Sequence, residues 1–196
     1  MEVTPSYRES NRARLREALI HAARDLTVEH GWDGVRMADV ASAVGVSRQT
    51  VYNEFDGRAG LAEALAVSEV QRFAQRVRTQ MFANGGDPRG AAYAGILMTL
   101  EDAARNPLVK AILTSGRGGA DELLPYLTTR SEVVLTEAGR VIAEWAGVHL
   151  AARPADRVAL AVDSVIRLTV SHIILPRAAP PATAAKLAEV FVRLLG

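Results

Sequence analysis

The chain has 196 residues, of which 49% are hydrophobic and 23% are charged, and its net charge is +1. This composition excludes a disordered chain, and the absence of cysteine excludes disulfides, zinc–thiolate sites and thiol nucleophiles. No apolar run is long enough to span a membrane and no signal sequence is evident, so we expect a soluble, cytoplasmic protein. Alanine is abundant and arginine far outnumbers lysine, which favours an all-α fold.

The spacing of the apolar residues predicts helices along the whole chain and no strand. Residues 1–9 are expected to form a mobile tail ahead of the first helix. Turns are predicted where glycine, asparagine, aspartate and proline cluster, as in GWDG and NGGDP. The predicted helices, about nine in all, cover residues 10–30, 37–44, 48–55, 58–83, 88 to beyond 104, 107–114, 121–146, 154–175 and 181–195.

Residues 37–55 have the pattern of a helix-turn-helix motif, in which a tight turn joins two short helices. Gly45 supplies the positive φ of the turn, Val46 fills the angle between the helices, and Ser47 caps the second helix. Val51 and Phe55 form the inner face of that helix. Its outer face carries side chains that can bind base edges or phosphates in DNA, namely Arg48, Gln49, Thr50, Tyr52 and Asn53. An ordinary helical hairpin with a polar outer face is the alternative.

The stretch VRMADVASAVGVSRQTVYNEFDGRAGLAEAL (35–65) resembles the DNA-binding region of the tetracycline repressor (TetR) family of bacterial regulators. The match includes the Gly-Val-Ser turn, the Thr-x-Tyr-x-x-Phe run and a basic residue three places after Phe55. The resemblance implies a DNA-binding domain at residues 1–57 and a helical ligand-binding and dimerisation domain at residues 58–196. It also implies a homodimer that binds a palindromic operator, acts as a repressor and is released by a small effector.

Three positions depart from the family's usual pattern. Arg58 stands where lysine is common, and it still offers a cation to a phosphate. Arg36 replaces a capping threonine, and we expect it to reach a phosphate instead. Glu54 occupies a position where histidine or tyrosine is common, and we expect it to pair with Arg58 and hold it in place. The predicted DNA-binding residues are Arg36, Ser47, Arg48, Gln49, Thr50, Tyr52, Asn53 and Arg58.

The charge of the predicted DNA-binding region is not basic in total, because residues 1–60 hold eight arginines against nine acidic residues. Distribution rather than total sets the local field, however. In the TetR family the start of the first helix lies near the DNA backbone, which agrees with a cluster of arginines there. A solvated helix end is the alternative for this cluster, which consists of Arg8, Arg12, Arg14 and Arg16.

Two helices of the C-terminal body are predicted to form a homodimer interface. The segment 154–175 is apolar nearly all round, so it must be buried on two sides. Residues 181–195 carry an apolar stripe with helical spacing. We therefore expect two helices from each chain to form a four-helix interface, as the family resemblance also implies. The alternative is that both helices belong only to the core of one chain.

An effector pocket is predicted among the apolar residues of the body, although core packing is the alternative for each of them. The composition of the region points to a largely apolar ligand. The predicted ligand-binding residues are Phe73, Val77, Met81, Tyr93, Leu97, Leu100, Leu113, Trp145 and Ile166.

An enzyme is the first rival to a DNA-binding regulator. The four histidines are scattered without metal-ligand spacing, and SGRGGAD lacks the Gly-Lys-Ser/Thr ending of a phosphate loop. We therefore predict no catalytic residue, no metal and no cofactor. A helical adaptor or ligand-binding protein without sequence-specific DNA binding is the second rival. The hydrogen-bond donors at 48–53 argue against it.

Overall fold

The computed structural model describes residues 6–105 and 131–196 of the chain, with side chains described from residue 136 onward in the second segment. Every regular element in these residues is helical, which confirms the all-α prediction. The helices are α1 (Tyr7–His30), a 3-10 turn (Trp32–Gly34), α2 (Met37–Val44), α3 (Arg48–Phe55), α4 (Arg58–Phe82), α5 (Pro88–Arg105), α6 (Ser131–His149), α7 (Ala155–Ile174) and α8 (Pro180–Leu195).

Helix α1 begins earlier than the sequence pattern predicted. The backbone N–H of Ser6 donates to the Glu9 carboxylate at 2.7 Å, and the backbone N–H of Glu9 donates to Ser6 Oγ at 3.3 Å. This reciprocal capping box satisfies two amide groups that a helix start leaves without partners. The expectation of a mobile tail is therefore wrong for residues 6–9, and the signal was present as Ser-x-x-Glu. Residues 1–5 lie outside the described part.

Two other predicted elements also fall outside the described residues. They are the short helix at 107–114 and the first ten residues of the helix predicted over 121–146. The remainder of the second helix corresponds to α6. The other predicted helices agree with the structure to within a few residues at their ends.

The described residues divide into two compact units inside helix α4, after Ser68. In the first unit, residues 6–68, α1 packs against α2, and α2 packs against α3. Leu19, Val40 and Val51 are completely buried there, one from each of these helices. Because α3 has only eight residues, it is too short to be stable alone, and this packing holds it in place.

The second unit comprises residues 69–105 and 131–196 of the described chain. Helix α8 packs mainly against α5 and α7. Its predicted apolar stripe is used in this packing, because Leu187, Phe191 and Leu195 are buried within the unit. Helix α7 buries one face and exposes Leu160 (57%) and Leu168 (38%) on the other. In the described residues, no helix is both long and apolar enough to cross a lipid bilayer.

Candidate nucleic-acid interface and internal cavity

The turn between α2 and α3 has the geometry that the sequence predicts. Gly45 adopts a left-handed conformation with φ 75° and ψ 32°, which a glycine reaches without strain. The N–H of Val46 donates back to the Ala41 carbonyl at 3.0 Å and closes the end of α2. Ser47 Oγ accepts from the Thr50 N–H at 3.1 Å, so Ser47 is the N-cap of α3.

The outer face of α3 presents its polar side chains in two pairs. Gln49 Nε2 donates to Asn53 Oδ1 at 2.9 Å, and a terminal nitrogen of Arg48 donates to Tyr52 Oη at 3.1 Å. The Arg48 guanidinium also lies 5.2 Å from the centre of the Tyr52 ring. The hydrogen bond to Tyr52 raises the pKa of Arg48 above its usual value. These four residues are exposed, whereas Thr50 is half-buried with its hydroxyl 2.8 Å from Ser47 Oγ.

Glu54 is paired with α1 rather than with Arg58. Arg12 Nε lies 2.9 Å and 3.2 Å from the two oxygens of the Glu54 carboxylate. Arg16 donates to the backbone carbonyl of Glu54 at 2.7 Å, and its guanidinium lies 4.5 Å from the centre of the Phe55 ring. The expected pair between Glu54 and Arg58 is therefore corrected, because α1 approaches the last turn of α3 more closely than the sequence could indicate.

The two remaining predicted DNA contacts differ in their surroundings. Arg36 is exposed at the start of α2 and makes no side-chain cap there, as expected for that residue. Arg58 is half-buried: it donates to the Trp32 carbonyl at 2.7 Å, and its guanidinium lies 5.1 Å from the centre of the Trp32 ring. Trp32 was not singled out by the sequence pattern, although an aromatic residue in the GWDG turn is the signal that could have indicated it.

The second unit contains an apolar cavity of about 80 Å³. Four of the predicted ligand-binding residues line it, namely Phe73, Val77, Met81 and Ile166. The further lining residues were not predicted from the sequence, and they lie on α5, α6, α7 and α8: Ala92, Gly95, Ile96, Thr99, Ala138, Ile142, Val162, Val165, Thr169, Val170 and Phe191. Among the described residues the lining carries no charge, and its hydroxyls donate to their own helices, Thr99 to Gly95 and Thr169 to Val165.

The other predicted ligand-binding residues that the structure describes do not line this cavity. Trp145 is fully buried, and its indole N–H donates to the Gly85 carbonyl at 3.1 Å. This hydrogen bond stabilises the turn before α5. Leu100 is buried in the core, while Tyr93 and Leu97 pack against it at partly exposed positions. Leu113 lies outside the described residues. Within the described part of the chain, no cluster of three histidine, aspartate or glutamate residues could hold a metal.

Comparisons with known protein families cover most of the chain. Residues 19–65 match the family described as "Bacterial regulatory proteins, tetR family". Residues 87–193 match the family described as "Bacterial Tetracyclin repressor, C-terminal domain". The first match includes the capped turn and the exposed face of α3, and the second includes most of the residues around the cavity.

Individual relatives extend the similarity to nearly full length. The transcriptional regulator AlkX of Mycobacterium tuberculosis is 34% identical over 185 residues, which cover 94% of this chain and 86% of that protein. The crystal structure of the TetR-family repressor AlkX from Dietzia sp. is 31% identical with a TM-score of 0.70, covering 91% of this chain and 96% of that one. The RolR complex with resorcinol, at 18% identity and a TM-score of 0.61, shares the fold over 95% of this chain and 90% of that one.

Proposed function

The chain belongs to the tetracycline repressor (TetR) family of bacterial transcriptional regulators, and we propose from this premise that its helix α3 reads operator DNA. It is a ligand-responsive DNA-binding regulator and not an enzyme. The observation that carries the assignment of α3 is its division into two faces. Val51 and Phe55 are buried, while the capped helix exposes Arg48, Gln49 and Asn53 to solvent.

The exposed side chains suit contacts in the major groove. The amides of Gln49 and Asn53 can bind base edges, and Arg48 can bind guanine. Tyr52 and Thr50 offer hydroxyls to phosphates, and exposed Arg36 offers a cation. Arg58 would first have to leave the Trp32 carbonyl to reach a phosphate, so we propose that it also fixes the start of α4. This exposed set of hydrogen-bond donors favours DNA binding over a helical adaptor without DNA binding.

We propose that the dimer forms through the exposed face of α7 together with α8. TetR-family repressors act as dimers, and the α8 residues that pack inside their own chain are not available to a partner. Leu160 and Leu168 of α7 are exposed instead and would lose their water contact in a dimer. Two α3 helices would then enter successive major grooves of a palindrome, about 34–36 Å apart.

The cavity supports an apolar effector. The lining residues that the structure describes include no charged group, and their two hydroxyls already donate to backbone carbonyls. The related AlkX repressor from Dietzia is described as implicated in the biodegradation of n-alkanes. We propose that this chain responds to an unbranched aliphatic compound of that kind. Ligand binding would widen the cavity and displace α4, which contributes Phe73, Val77 and Met81 to its wall.

We further propose residues 1–57 as the DNA-binding domain, residues 58–196 as the effector and dimerisation domain, and the cytoplasm as the site of action. The cytoplasm is where a bacterial operator is accessible. The compact units divide somewhat later, after Ser68, because the first turns of α4 pack with α1–α3.

The test is to capture sheared genomic DNA from the source organism with the purified protein and to sequence what is retained. Enrichment of a few sites that share an inverted repeat is expected. Adding n-alkanes of graded length should then release the retained fragments. Uniform recovery of DNA would contradict sequence-specific regulation, and specific sites that no aliphatic compound releases would contradict only the effector.

A further inference from the structure

The ion pair between Arg12 and Glu54 is unusual in how unevenly it is exposed. The Glu54 side chain is 12% exposed, whereas the Arg12 side chain is 68% exposed. The two residues are 42 positions apart in the chain, so the contact joins α1 to the last turn of α3. The Glu54 carboxylate is mostly covered and hydrogen-bonded to the exposed Arg12 guanidinium. It therefore restrains the position of Arg12 and is not a free surface charge.

The orientation of the Arg12 guanidinium follows from the atom that it uses. Arg12 donates to both carboxylate oxygens through Nε, and among the described residues it makes no other hydrogen bond. Its two terminal nitrogens therefore remain available. These nitrogens form the planar fork that binds a phosphate through two parallel hydrogen bonds.

Arg16 fixes the same junction from one turn further along α1. It donates to the Glu54 carbonyl at 2.7 Å and lies over the Phe55 ring. A cation is favourable at this place, because the carbonyls at the end of α3 carry a partial negative charge. Arg8, Arg12 and Arg16 follow one another at intervals of four residues, so they lie along one face of α1.

We propose that Glu54 is a positioning residue, which holds the terminal fork of Arg12 for a DNA phosphate beside the bases that α3 reads. This inference rests on the proposed function. It explains how an acidic residue can stand on a helix that is proposed to bind DNA: the carboxylate is covered by Arg12, and the exposed group is the Arg12 cation. Because both contacts anchor on the last turn of α3, base reading and phosphate binding share one rigid support.

The direction in which Glu54→Ala changes DNA affinity distinguishes a positioning role from simple charge repulsion. If Glu54 acted only as a negative charge near DNA, Glu54→Ala would strengthen DNA binding. If it positions Arg12, Glu54→Ala weakens binding by about threefold to tenfold and reduces the salt slope by up to about one. The matched control is Glu17→Ala, which removes an exposed acidic residue from α1 without touching the α1–α3 junction. This control should leave affinity unchanged or raise it slightly.

The experiment measures the affinity of the full chain, at several salt concentrations, for the genomic fragment that the wild type retains most strongly. Arg12→Ala should weaken binding at least as much as Glu54→Ala, and the double variant should be no weaker than Arg12→Ala alone. Glu54→Gln, which keeps an acceptor, should lose less than Glu54→Ala and serves if the alanine variant does not fold.

Additive losses, or a gain of affinity in Glu54→Ala, would overturn the inference while leaving the regulator function intact. A wild-type chain that retains no specific fragment would instead overturn the proposed function, and the inference with it.

Discussion

The side chains on the outer face of α3 bind one another in the free protein. Gln49 and Asn53 are joined by one amide hydrogen bond, and Arg48 is held on Tyr52 by a hydrogen bond and a ring contact. With Asn53 Oδ1 engaged, the joined amides still offer an acceptor on Gln49 and a donor on Asn53. That combination complements the N6 and N7 edge of adenine.

We therefore expect Gln49 and Asn53 to act as one reading unit. Gln49→Ala and Asn53→Ala should each relax the preference at the same base pair, at a cost of about 1–3 kcal/mol. The double variant should lose little more binding free energy than the single variant with the larger loss, because either change already breaks the hydrogen-bonded pair. Selection of binding sites from a random DNA pool measures this, and preferences that relax at two separate base pairs would contradict it.

Tyr52 should act on affinity rather than on sequence preference. Tyr52→Phe removes the hydroxyl that accepts from Arg48 and that can donate to a phosphate. We expect binding to weaken by about 0.5–1.5 kcal/mol for all sequences alike. Competition between specific and random DNA checks this, because an altered base preference would assign Tyr52 to base reading instead.

At the scale of elements, the junction between α3 and α4 depends on the absence of one side chain. A Cβ atom placed on Gly60 would lie 1.8 Å from the backbone carbonyl oxygen of Phe55. Backbone cannot move aside as a flexible side chain can, so α4 begins against α3 only because residue 60 is glycine.

Gly60→Ala should consequently destabilise the protein by about 2–4 kcal/mol or displace α3, and DNA binding should fall with it. Gly139→Ala is the matched control, since it lies inside α6 with nothing within 4 Å of the added Cβ. There alanine should raise stability by about 0.5–1 kcal/mol through its helix propensity. Urea unfolding of both variants measures the contrast, and equal midpoints would contradict the steric argument.

Helices α4 and α6 are joined by an ion pair with a defined pH response. Arg78 donates to the Glu144 carboxylate at 2.7 Å, and this hydrogen bond lowers the pKa of Glu144 from 4.5. A lowered pKa in the folded state means stability that is present above pH 4.5 and lost as pH falls through the folded value. Glu144→Gln should remove this part of the acid sensitivity, measurable as a smaller drop in unfolding midpoint between about pH 5.5 and about pH 3.5 (roughly one unit either side of the unfolded pKa).

Local signals predicted the helix-turn-helix well, whereas contacts between distant segments could not be predicted. The positive φ of Gly45, the cap from Ser47 to the N–H three residues later and the helical spacing that buries Phe55 are all local features. A short stretch of sequence is enough to predict them. The partner of Glu54 lies 42 positions away, and nothing in either local pattern indicates it. The cavity lining could not be predicted for the same reason. Periodicity indicates that Trp145 faces inward, but it does not indicate which residues Trp145 contacts.

At the scale of the whole molecule, helix α4 runs through both compact units, so under the proposed function it is the covalent link between effector binding and DNA binding. Its first turns bury Leu61 and Leu65 in the first unit, and its later turns line the cavity of the second. A ligand shifts the population only to the extent that it binds one arrangement of α4 better than the other.

Gly95→Ala tests this coupling from inside the cavity. The added Cβ would lie 3.2 Å from Met81 Cγ and 3.5 Å from Val77 Cγ1, so it would fill part of the cavity beside α4. We expect effector affinity to fall by about 1–3 kcal/mol while DNA binding without effector is unchanged. Titration of aliphatic compounds against the protein–DNA complex measures this, and an unaltered release curve would place the effector elsewhere.

The near balance of arginines and acidic residues in the first 60 positions has a consequence for the cell. Attraction to arbitrary chromosomal DNA grows with the number of phosphates that a protein neutralises. Because the proposed DNA-binding domain has no excess of arginine over acidic residues, it should spend little time bound to the rest of the genome. Few copies per cell should then suffice to keep an operator occupied, and a small pulse of inducer should be enough to empty it.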